Sequence, residues 1–263
     1  MKRATVIFLP RQRGYTMVEL MIAILISLFL LAGLLTLVMG TRKSSTTQGQ
    51  LAQLQDNERI AMTLMTNVIQ QAGYFPDPMH LTATSLASEP SAAGAFAVGQ
   101  SLAGTYSAVA PGDKIAARFI APLHDSTTYN VIVNCAGTSN ATANPLTYTN
   151  LFQVQTVNGV PYLQCVLSQA GVVQAPVINL VAGVKSLSAM YGISAAAGDN
   201  NIVTYETAAS ANASPTDWQR VTAVKLRITF LVPQFGQTGG QYSTNTQYLE
   251  RVIPIMSRTG ANN

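Results

Sequence analysis

The hydrophobic and polar positions divide the chain into a long apolar stretch near the N-terminus and a longer, mixed region after it. Residues 20–40 form a run of 21 positions without a charged side chain. As a helix, this run extends about 30 Å, which matches the hydrocarbon core of a bilayer. The pattern therefore predicts one helix that can span a membrane.

A helical pattern continues beyond residue 43, where apolar residues recur at spacings of three and four. These residues are Leu51, Leu54, Ala61, Leu64, Met65, Val68 and Ala72. Gly73 is a typical helix-ending residue, and Pro76 and Pro78 prevent the helix from resuming. We therefore expect a single helix over residues 15–72, whose second half packs one apolar stripe against a globular domain.

From Tyr74 onward, short runs suited to strands alternate with Gly, Pro and Asn, which predict turns. The expected strands cover residues 114–120, 130–135, 152–157, 162–167, 177–191, 221–232 and 248–255. Alternation of apolar and polar residues is clearest over 224–230, and the Gly- and Gln-rich segment 233–246 is expected to lead back through an antiparallel strand. The predicted fold class is α+β, with an antiparallel sheet packed on the second half of the helix.

The formal net charge of +4 is concentrated at the N-terminus. Four basic residues and no acidic residue precede Gly14, and the remainder of the chain holds 11 basic and 11 acidic residues. This balance does not favour binding to nucleic acid. A basic stretch before a membrane helix instead predicts a cytoplasmic N-terminus, with everything after Gly40 on the outer side of the inner membrane.

Cys135 and Cys165 are the two cysteines of the chain, and both lie in runs that are expected to form strands. On the oxidising outer side of the membrane, two such cysteines are expected to form one disulfide. Closing a loop of about 30 residues contributes about 3–4 kcal/mol in the chain-entropy model. We interpret this disulfide as a structural crosslink.

His80 and His124 are the two histidines, and no zinc-ligand spacing relates them to the cysteines. The sequence also has no nucleophile elbow, no phosphate-binding glycine loop followed by lysine, and no zinc-protease motif. We therefore predict a protein that is not an enzyme and that uses no metal ion or cofactor.

The segment 11–20, with the sequence RQRGYTMVEL, joins the basic leader to the apolar run. Gly14 leaves the backbone accessible to a peptidase at the membrane face. Glu19 is unusual, because a carboxylate deep in an apolar helix costs about 2.5–3.5 kcal/mol. An α-amino group created at Tyr15 by cleavage would give Glu19 a partner, either in its own chain or in a neighbouring one.

This order of residues resembles the N-terminal signal of type IV prepilins and pseudopilins. The resemblance implies that a prepilin peptidase cleaves between Gly14 and Tyr15 and methylates the new amino group of Tyr15. It also implies that Glu19 neutralises the N-terminus of an adjacent subunit during assembly. The implied fold is type IV pilin-like.

Residues 54–62, 71–75 and 180–193 are similar to segments of PilW-type minor pilins. These resemblances imply a structural and assembly subunit of a type IV pilus, placed in the priming or tip complex. The implied organisation is a cleaved leader over 1–14, a membrane and filament-core helix over 15–40, an amphipathic continuation over 41–73, and a periplasmic β-rich domain over 74–263. Major pilins usually carry a proline in the membrane helix, and its absence here disfavours the role of bulk subunit.

The same resemblances imply the partners and the location of the chain. The implied partners are major and minor pilins, the prepilin peptidase, the inner-membrane assembly platform, a tip adhesin and, before assembly, membrane lipid. The chain is expected in the bacterial inner membrane, with a cytoplasmic N-terminus and a periplasmic domain, and afterwards in the pilus.

Three other interpretations stay open at this point. A pseudopilin of a type II secretion system shares the leader, helix and sheet, and its loss would impair secretion rather than piliation and twitching. A single-pass, membrane-anchored periplasmic binding domain would need neither cleavage at Gly14 nor Glu19. A secretory signal peptide with a weak cleavage site at 38–40 is disfavoured, because the apolar run exceeds the usual 7–15 residues and begins beside Glu19.

Overall fold

The computed structural model describes residues 14–76, 86–122, 132–234 and 242–259. The chain forms two compact units, one ending at Gly49 and the other beginning at Gln50. Helix α1 (Met17–Gln70) supplies its N-terminal part to the first unit and its C-terminal part to the second. The strands all belong to the second unit.

The end of α1 follows the sequence expectation closely. Gly73 adopts a φ of +77°, a left-handed conformation that glycine accepts without strain and that ends the helix. Its N–H donates to the carbonyl oxygen of Arg118 at 2.9 Å, which ties the turn to a neighbouring strand. The predicted helix stop is therefore confirmed.

The C-terminal part of α1 buries one stripe of side chains within the second unit. The stripe consists of Leu54, Glu58, Ala61, Met62, Met65, Val68 and Ile69. Of the predicted stripe, Leu54, Ala61, Met65, Val68 and Ala72 are buried, which confirms those positions. Leu64 is only half-buried, and the prediction is wrong for Leu51, which is 47% exposed. On the opposite face, Arg59 and Asp56 form an exposed ion pair with an N–O distance of 2.9 Å.

Ten strands lie in the described part of the chain. They are β1 (Leu102–Thr105), β2 (Lys114–Ala121), β3 (Leu146–Val157), β4 (Val160–Gln169), β5 (Val172–Val173), β6 (Ile178–Ala182), β7 (Val184–Ser194), β8 (Ile202–Thr207), β9 (Val221–Pro233) and β10 (Tyr242–Pro254). Two short helices complete this set, α2 (Ala208–Ala213) and α3 (Met256–Thr259), together with a 3₁₀ turn (Pro215–Arg220).

The strands form two antiparallel sheets. The first sheet has the order β1-β2-β3-β4, and β5 and β6 both pair with β4. The second sheet has the order β10-β9-β7-β8. Strands β9 and β10 pair from Ala223 and Pro254 outward, which confirms the expected antiparallel return of the chain after residue 233. The α+β class with antiparallel sheets is confirmed.

The chain passes from the first sheet to the second at Gly183. The sequence predicted one strand over residues 177–191, but the structure divides this segment into β6 and β7. Gly183 has a φ of +80°, so it turns the chain between two pairing partners, β4 before it and β9 after it. A single glycine inside an apolar run thus separates two sheets.

The strand predicted over residues 130–135 is wrong in its described part. Residues 130 and 131 lie outside the described residues, and Val133 makes only an isolated bridge to Ser139. The side-chain oxygen of Asn134 accepts hydrogen bonds from the backbone N–H of Ala136 at 2.9 Å and of Thr138 at 3.2 Å. This side chain stabilises a turn in place of a strand ladder.

One main core joins the two sheets and the C-terminal part of α1. Its largest fully buried members include Met65, Phe119, Phe152, Tyr191 and Phe230. A smaller apolar cluster lies on the other face of the first sheet. The sheet domain therefore buries apolar side chains on both faces of its first sheet.

Asp113 links the two sheets through a buried carboxylate. Its two oxygens accept hydrogen bonds from the backbone N–H of Ser107 at 2.7 Å and of Ala189 at 2.8 Å. Burial raises the pKa of Asp113 above its usual value, while these two backbone bonds oppose that rise. The residue fixes the loop before β2 to strand β7.

Candidate functional site

The three described residues that precede α1 are exposed. Gly14, Tyr15 and Thr16 are exposed and lie outside regular secondary structure. The Tyr15 side chain is 85% exposed, and no neighbouring heavy atom lies within 4 Å of the position that a Cβ at Gly14 would take. The peptide bond between Gly14 and Tyr15 is therefore not shielded by the described part of the chain.

Thr16 caps the N-terminus of α1. Its hydroxyl oxygen accepts a hydrogen bond from the backbone N–H of Glu19 at 3.3 Å, and its carbonyl oxygen accepts from the N–H of Leu20 at 3.1 Å. Threonine followed three residues later by glutamate has the spacing of a capping box. This role of Thr16 is not among the sequence predictions, although the spacing of Thr16 and Glu19 indicates a capping box.

Glu19 lies in the first turn of α1 with its side chain exposed. A carboxylate in this turn interacts favourably with the partial positive charge at a helix N-terminus. Glu19 is also the single charged residue between Tyr15 and Gly40. The helix therefore presents one negative charge at the start of an otherwise apolar surface.

The apolar segment of α1 (residues 20–40) exposes its large side chains around the whole helix. Phe29 is 82% exposed and Leu37 is 72% exposed, and none of the most apolar window of the helix is buried. The helix is long and apolar enough to cross a membrane. Nothing in the first unit covers this surface among the described residues.

The hydroxyl groups of the apolar segment are satisfied within the helix. Ser27 donates to the carbonyl oxygen of Ile24 at 2.8 Å, and Thr36 donates to that of Gly33 at 2.7 Å. A membrane or a filament core offers no water to such groups, so internal bonds remove the cost of burying them. The segment therefore has no unsatisfied side-chain hydroxyl in an apolar environment, and the charged residue nearest to its start is Glu19.

Cys135 and Cys165 form the predicted disulfide. Both residues are buried, and their Cα atoms are 6.1 Å apart. The N–H of Cys135 donates to the side-chain oxygen of Asn150 at 2.8 Å, so a second contact fixes the same segment to β3. The disulfide joins the segment before β3 to the centre of β4.

The described residues contain no group of three or more His, Cys, Asp or Glu side chains that could hold a metal ion. His80 and His124 lie outside the described residues, as does the leader up to Arg13. Chemistry at the N-terminal motif therefore centres on three groups: the Gly14–Tyr15 peptide bond, the cap at Thr16 and the carboxylate of Glu19.

Two family models match the chain. The first describes a prokaryotic N-terminal methylation motif and matches residues 9–35. The second describes type IV pilus-assembly protein W and matches residues 151–253, from within β3 to near the end of β10. The second match includes the segment 180–193 that the sequence analysis compared with PilW-type minor pilins. No curated protein matches the chain.

Proposed function

Because the chain is a type IV pilin-like minor pilin of the PilW type, we propose that it is inserted in the inner membrane through α1 and then built into a type IV pilus. Its role is structural, since one matching model describes a pilus-assembly protein and the other an N-terminal methylation motif. The observation that carries the proposal is the exposed apolar surface of α1, which begins with a single carboxylate.

The basic leader supports the proposed orientation in the membrane. Lys2, Arg3, Arg11 and Arg13 precede the apolar segment, and positive residues are retained on the cytoplasmic side. The domain after α1 then faces the periplasm, where the disulfide between Cys135 and Cys165 is chemically stable. The boundaries predicted at residues 14, 40 and 73 stay predictions.

Processing is proposed to remove residues 1–14 and to methylate the amino group of Tyr15. The accessibility of Gly14 and the position of the methylation-motif match over residues 9–35 support this step. Cleavage creates an α-amino group one helical turn before Glu19, and it places a positive charge beside the apolar surface. The mature N-terminus and Glu19 then carry opposite charges.

Glu19 is proposed to pair with the N-terminal amine of a neighbouring subunit during assembly. Inside an apolar filament core the effective dielectric constant is low, so an unpaired carboxylate is costly and a paired one is strongly directional. Subunits in the wrong register would leave both charges unpaired. The pair therefore selects one register between adjacent helices.

A comparison of Glu19→Val with Asp56→Val tests this assignment. Both changes remove an exposed carboxylate from α1, but Asp56 lies beyond the apolar segment and pairs with Arg59. We expect Glu19→Val to lower the amount of the chain in sheared filaments at least tenfold, with an unchanged amount in the membrane. Asp56→Val is expected to stay near the wild-type level. Incorporation of Glu19→Val at the wild-type level would contradict the pairing.

The partners proposed are major and minor pilins, the prepilin peptidase, the assembly platform of the inner membrane and, in the tip complex, an adhesin. A place in the priming or tip complex predicts a few copies per filament, which quantitative mass spectrometry of sheared filaments would count. No observation favours a pseudopilin of a secretion system or a solitary periplasmic binding domain. Deletion of the chain is accordingly expected to reduce piliation and twitching while secretion continues.

A further inference from the structure

A segment that precedes β1 covers the outer face of the first sheet. We name residues 86–100 the strap. Within it, Ala93 and Phe96 are fully buried and pack in the smaller apolar cluster with Ala103, Ala116 and Leu151. The last three residues belong to β1, β2 and β3, and the register of these strands places them side by side. The strap therefore closes a sheet face that the main core does not reach.

The backbone of the strap is bonded mainly to itself. Glu89 and Phe96 exchange both backbone hydrogen bonds, at 2.8 and 3.1 Å, and Gly99 donates to the carbonyl oxygen of Leu86 at 2.9 Å. Within the strap, the side-chain oxygen of Gln100 also accepts a hydrogen bond from the N–H of Ala97 at 2.9 Å. Separation of the strap from the sheet would therefore break few backbone bonds of the sheet.

Arg118 connects the strap to the sheet. The side chain rises from β2, is 1% exposed, and donates to the carbonyl oxygens of four strap residues. These acceptors are Leu86 at 3.4 Å, Ala97 at 2.8 Å, and Ala87 and Gln100 at shorter distances. The guanidinium also lies 4.5 Å from the ring centre of Phe96 and 4.0 Å from the carboxylate of Glu89.

This arrangement couples the position of the strap to one side chain. Burial lowers the pKa of Arg118 to about 10, so the group remains charged at neutral pH and needs the strap carbonyls and Glu89 to offset its desolvation. The strap carbonyls in turn lose their donor if the guanidinium is removed. The contact is therefore mutual, and its loss affects the strap before it affects the sheet ladders.

We propose that the strap is a separately opening cover of the first sheet, held closed by Arg118. Opening exposes the apolar patch of Ala103, Ala116 and Leu151 without unfolding the two sheets. A detached strap does not keep its own hydrogen bonds, because an isolated hairpin of this size is marginal in water. Its backbone amides consequently exchange with solvent whenever the strap opens. This inference does not depend on the chain being a pilus subunit.

Hydrogen exchange followed by mass spectrometry on the full chain in detergent tests the proposal. Arg118→Met removes all the hydrogen bonds from this side chain to the strap carbonyl oxygens. Arg118→Lys keeps the charge but cannot reach four carbonyl oxygens at once. We expect exchange in residues 86–100 to accelerate at least tenfold in Arg118→Met and by a smaller factor in Arg118→Lys. Exchange in β7 and β9 is expected to stay at the wild-type rate.

Two further variants test whether Arg118 holds the strap closed or only contributes to the stability of the whole domain. Phe96→Ala removes a buried apolar side chain of the strap without altering any sheet residue. It should accelerate amide exchange in the strap and not in the sheets. Arg227→Met removes an exposed arginine from the second sheet and should leave the strap unchanged. The proposal is overturned if amide exchange accelerates equally in the strap and the sheets in both Arg118→Met and Phe96→Ala. It is also overturned if exchange in the strap is unchanged in Arg118→Met.

Discussion

The apolar segment of α1 exposes its large apolar side chains, whereas the two-sheet domain buries them. In the segment, large side chains such as Phe29 and Leu37 are more than 70% exposed. In the domain, Phe152 and Ile228 are completely buried, and two sheets and one helix share their core. The domain completes its own core, whereas the segment needs a membrane or other subunits to cover it.

Polar groups show the same contrast. The segment satisfies its hydroxyls within one helix, through bonds of Ser27 and Thr36 to preceding carbonyl oxygens. The domain uses side chains that connect distant parts of the chain, as Asp113 does between a loop and β7 and Arg118 does between β2 and the strap. Changes in the segment should therefore affect insertion and assembly, and changes in the domain should affect stability.

The largest effect on the domain is expected from loss of the disulfide. Replacing both Cys135 and Cys165 by alanine frees a loop closed over 30 residues and should lower the free energy of unfolding by about 3–4 kcal/mol. Denaturant unfolding of the full chain in detergent measures this loss. Reduction of the wild-type chain is the control and should reproduce it, and equal stability of oxidised and reduced protein would contradict the crosslinking role.

A charge in the apolar segment should give the next largest effect, this time on insertion. Leu30→Arg places a cation on a fully apolar helix surface and should cost about 2.5–3.5 kcal/mol of insertion free energy. A membrane-insertion assay of the full chain measures this cost. Leu51→Arg, on the exposed side of α1 beyond the segment, is the matched control and should insert normally. Similar insertion of both variants would remove the distinction between the two regions.

The cap at Thr16 should contribute less. Thr16→Val removes the acceptor for the N–H of Glu19 and should destabilise the first turn by about 1 kcal/mol, which corresponds to about fivefold faster amide exchange. Nuclear magnetic resonance of the chain in detergent can follow these amides. Thr16→Ser keeps the hydroxyl and should exchange at the wild-type rate, and faster exchange in both variants would argue against the cap.

The smallest effect concerns Glu58, a carboxylate in the buried stripe of α1. One of its oxygens is buried without a hydrogen-bond partner, and burial raises its pKa. The folded chain therefore binds a proton at the Glu58 carboxylate more tightly than the unfolded chain does. The contribution of Glu58 to stability consequently falls as pH rises above about 4.5. Glu58→Gln should flatten this part of the profile of melting temperature against pH.

Glu250 provides a control of opposite sign for that experiment. Hydrogen bonds from Lys225 and Arg227 hold the pKa of Glu250 below its usual value. Its contribution to stability is therefore present above about pH 4.5 and is lost as pH falls through the lower folded value. Glu250→Gln should lower the melting temperature at neutral pH. A profile of melting temperature against pH that is unchanged by Glu58→Gln would contradict the assignment to Glu58.

Much of the fold could be predicted, because its strongest signals are local. The 21-residue apolar run predicted the first part of α1, Gly73 predicted its end, and alternation over residues 224–230 predicted the centre of β9. The pairing of Cys135 with Cys165 followed from their number. Each of these inferences depends on residues close in sequence or on a choice with a single outcome.

The remainder depends on contacts that are distant in sequence. The strand β1 consists of Leu-Ala-Gly-Thr, whose weak strand propensity is overcome by pairing with β2. The residues around Gly183 do not indicate that it separates two sheets. Arginine is usually a surface residue, and Arg118 is held in the interior by carbonyl oxygens that are distant in sequence. Of the N-terminal motif, Gly14, Tyr15 and Glu19 were identified from the sequence, and their roles stay predictions.

The mass of the N-terminal peptide of the chain, recovered from sheared filaments, tests the central claim most directly. If the chain is a processed pilus subunit, its first residue is Tyr15, and the amino group of that residue carries one methyl group. A chain that begins at Met1, begins beyond residue 40, or is not found in filaments would contradict this account.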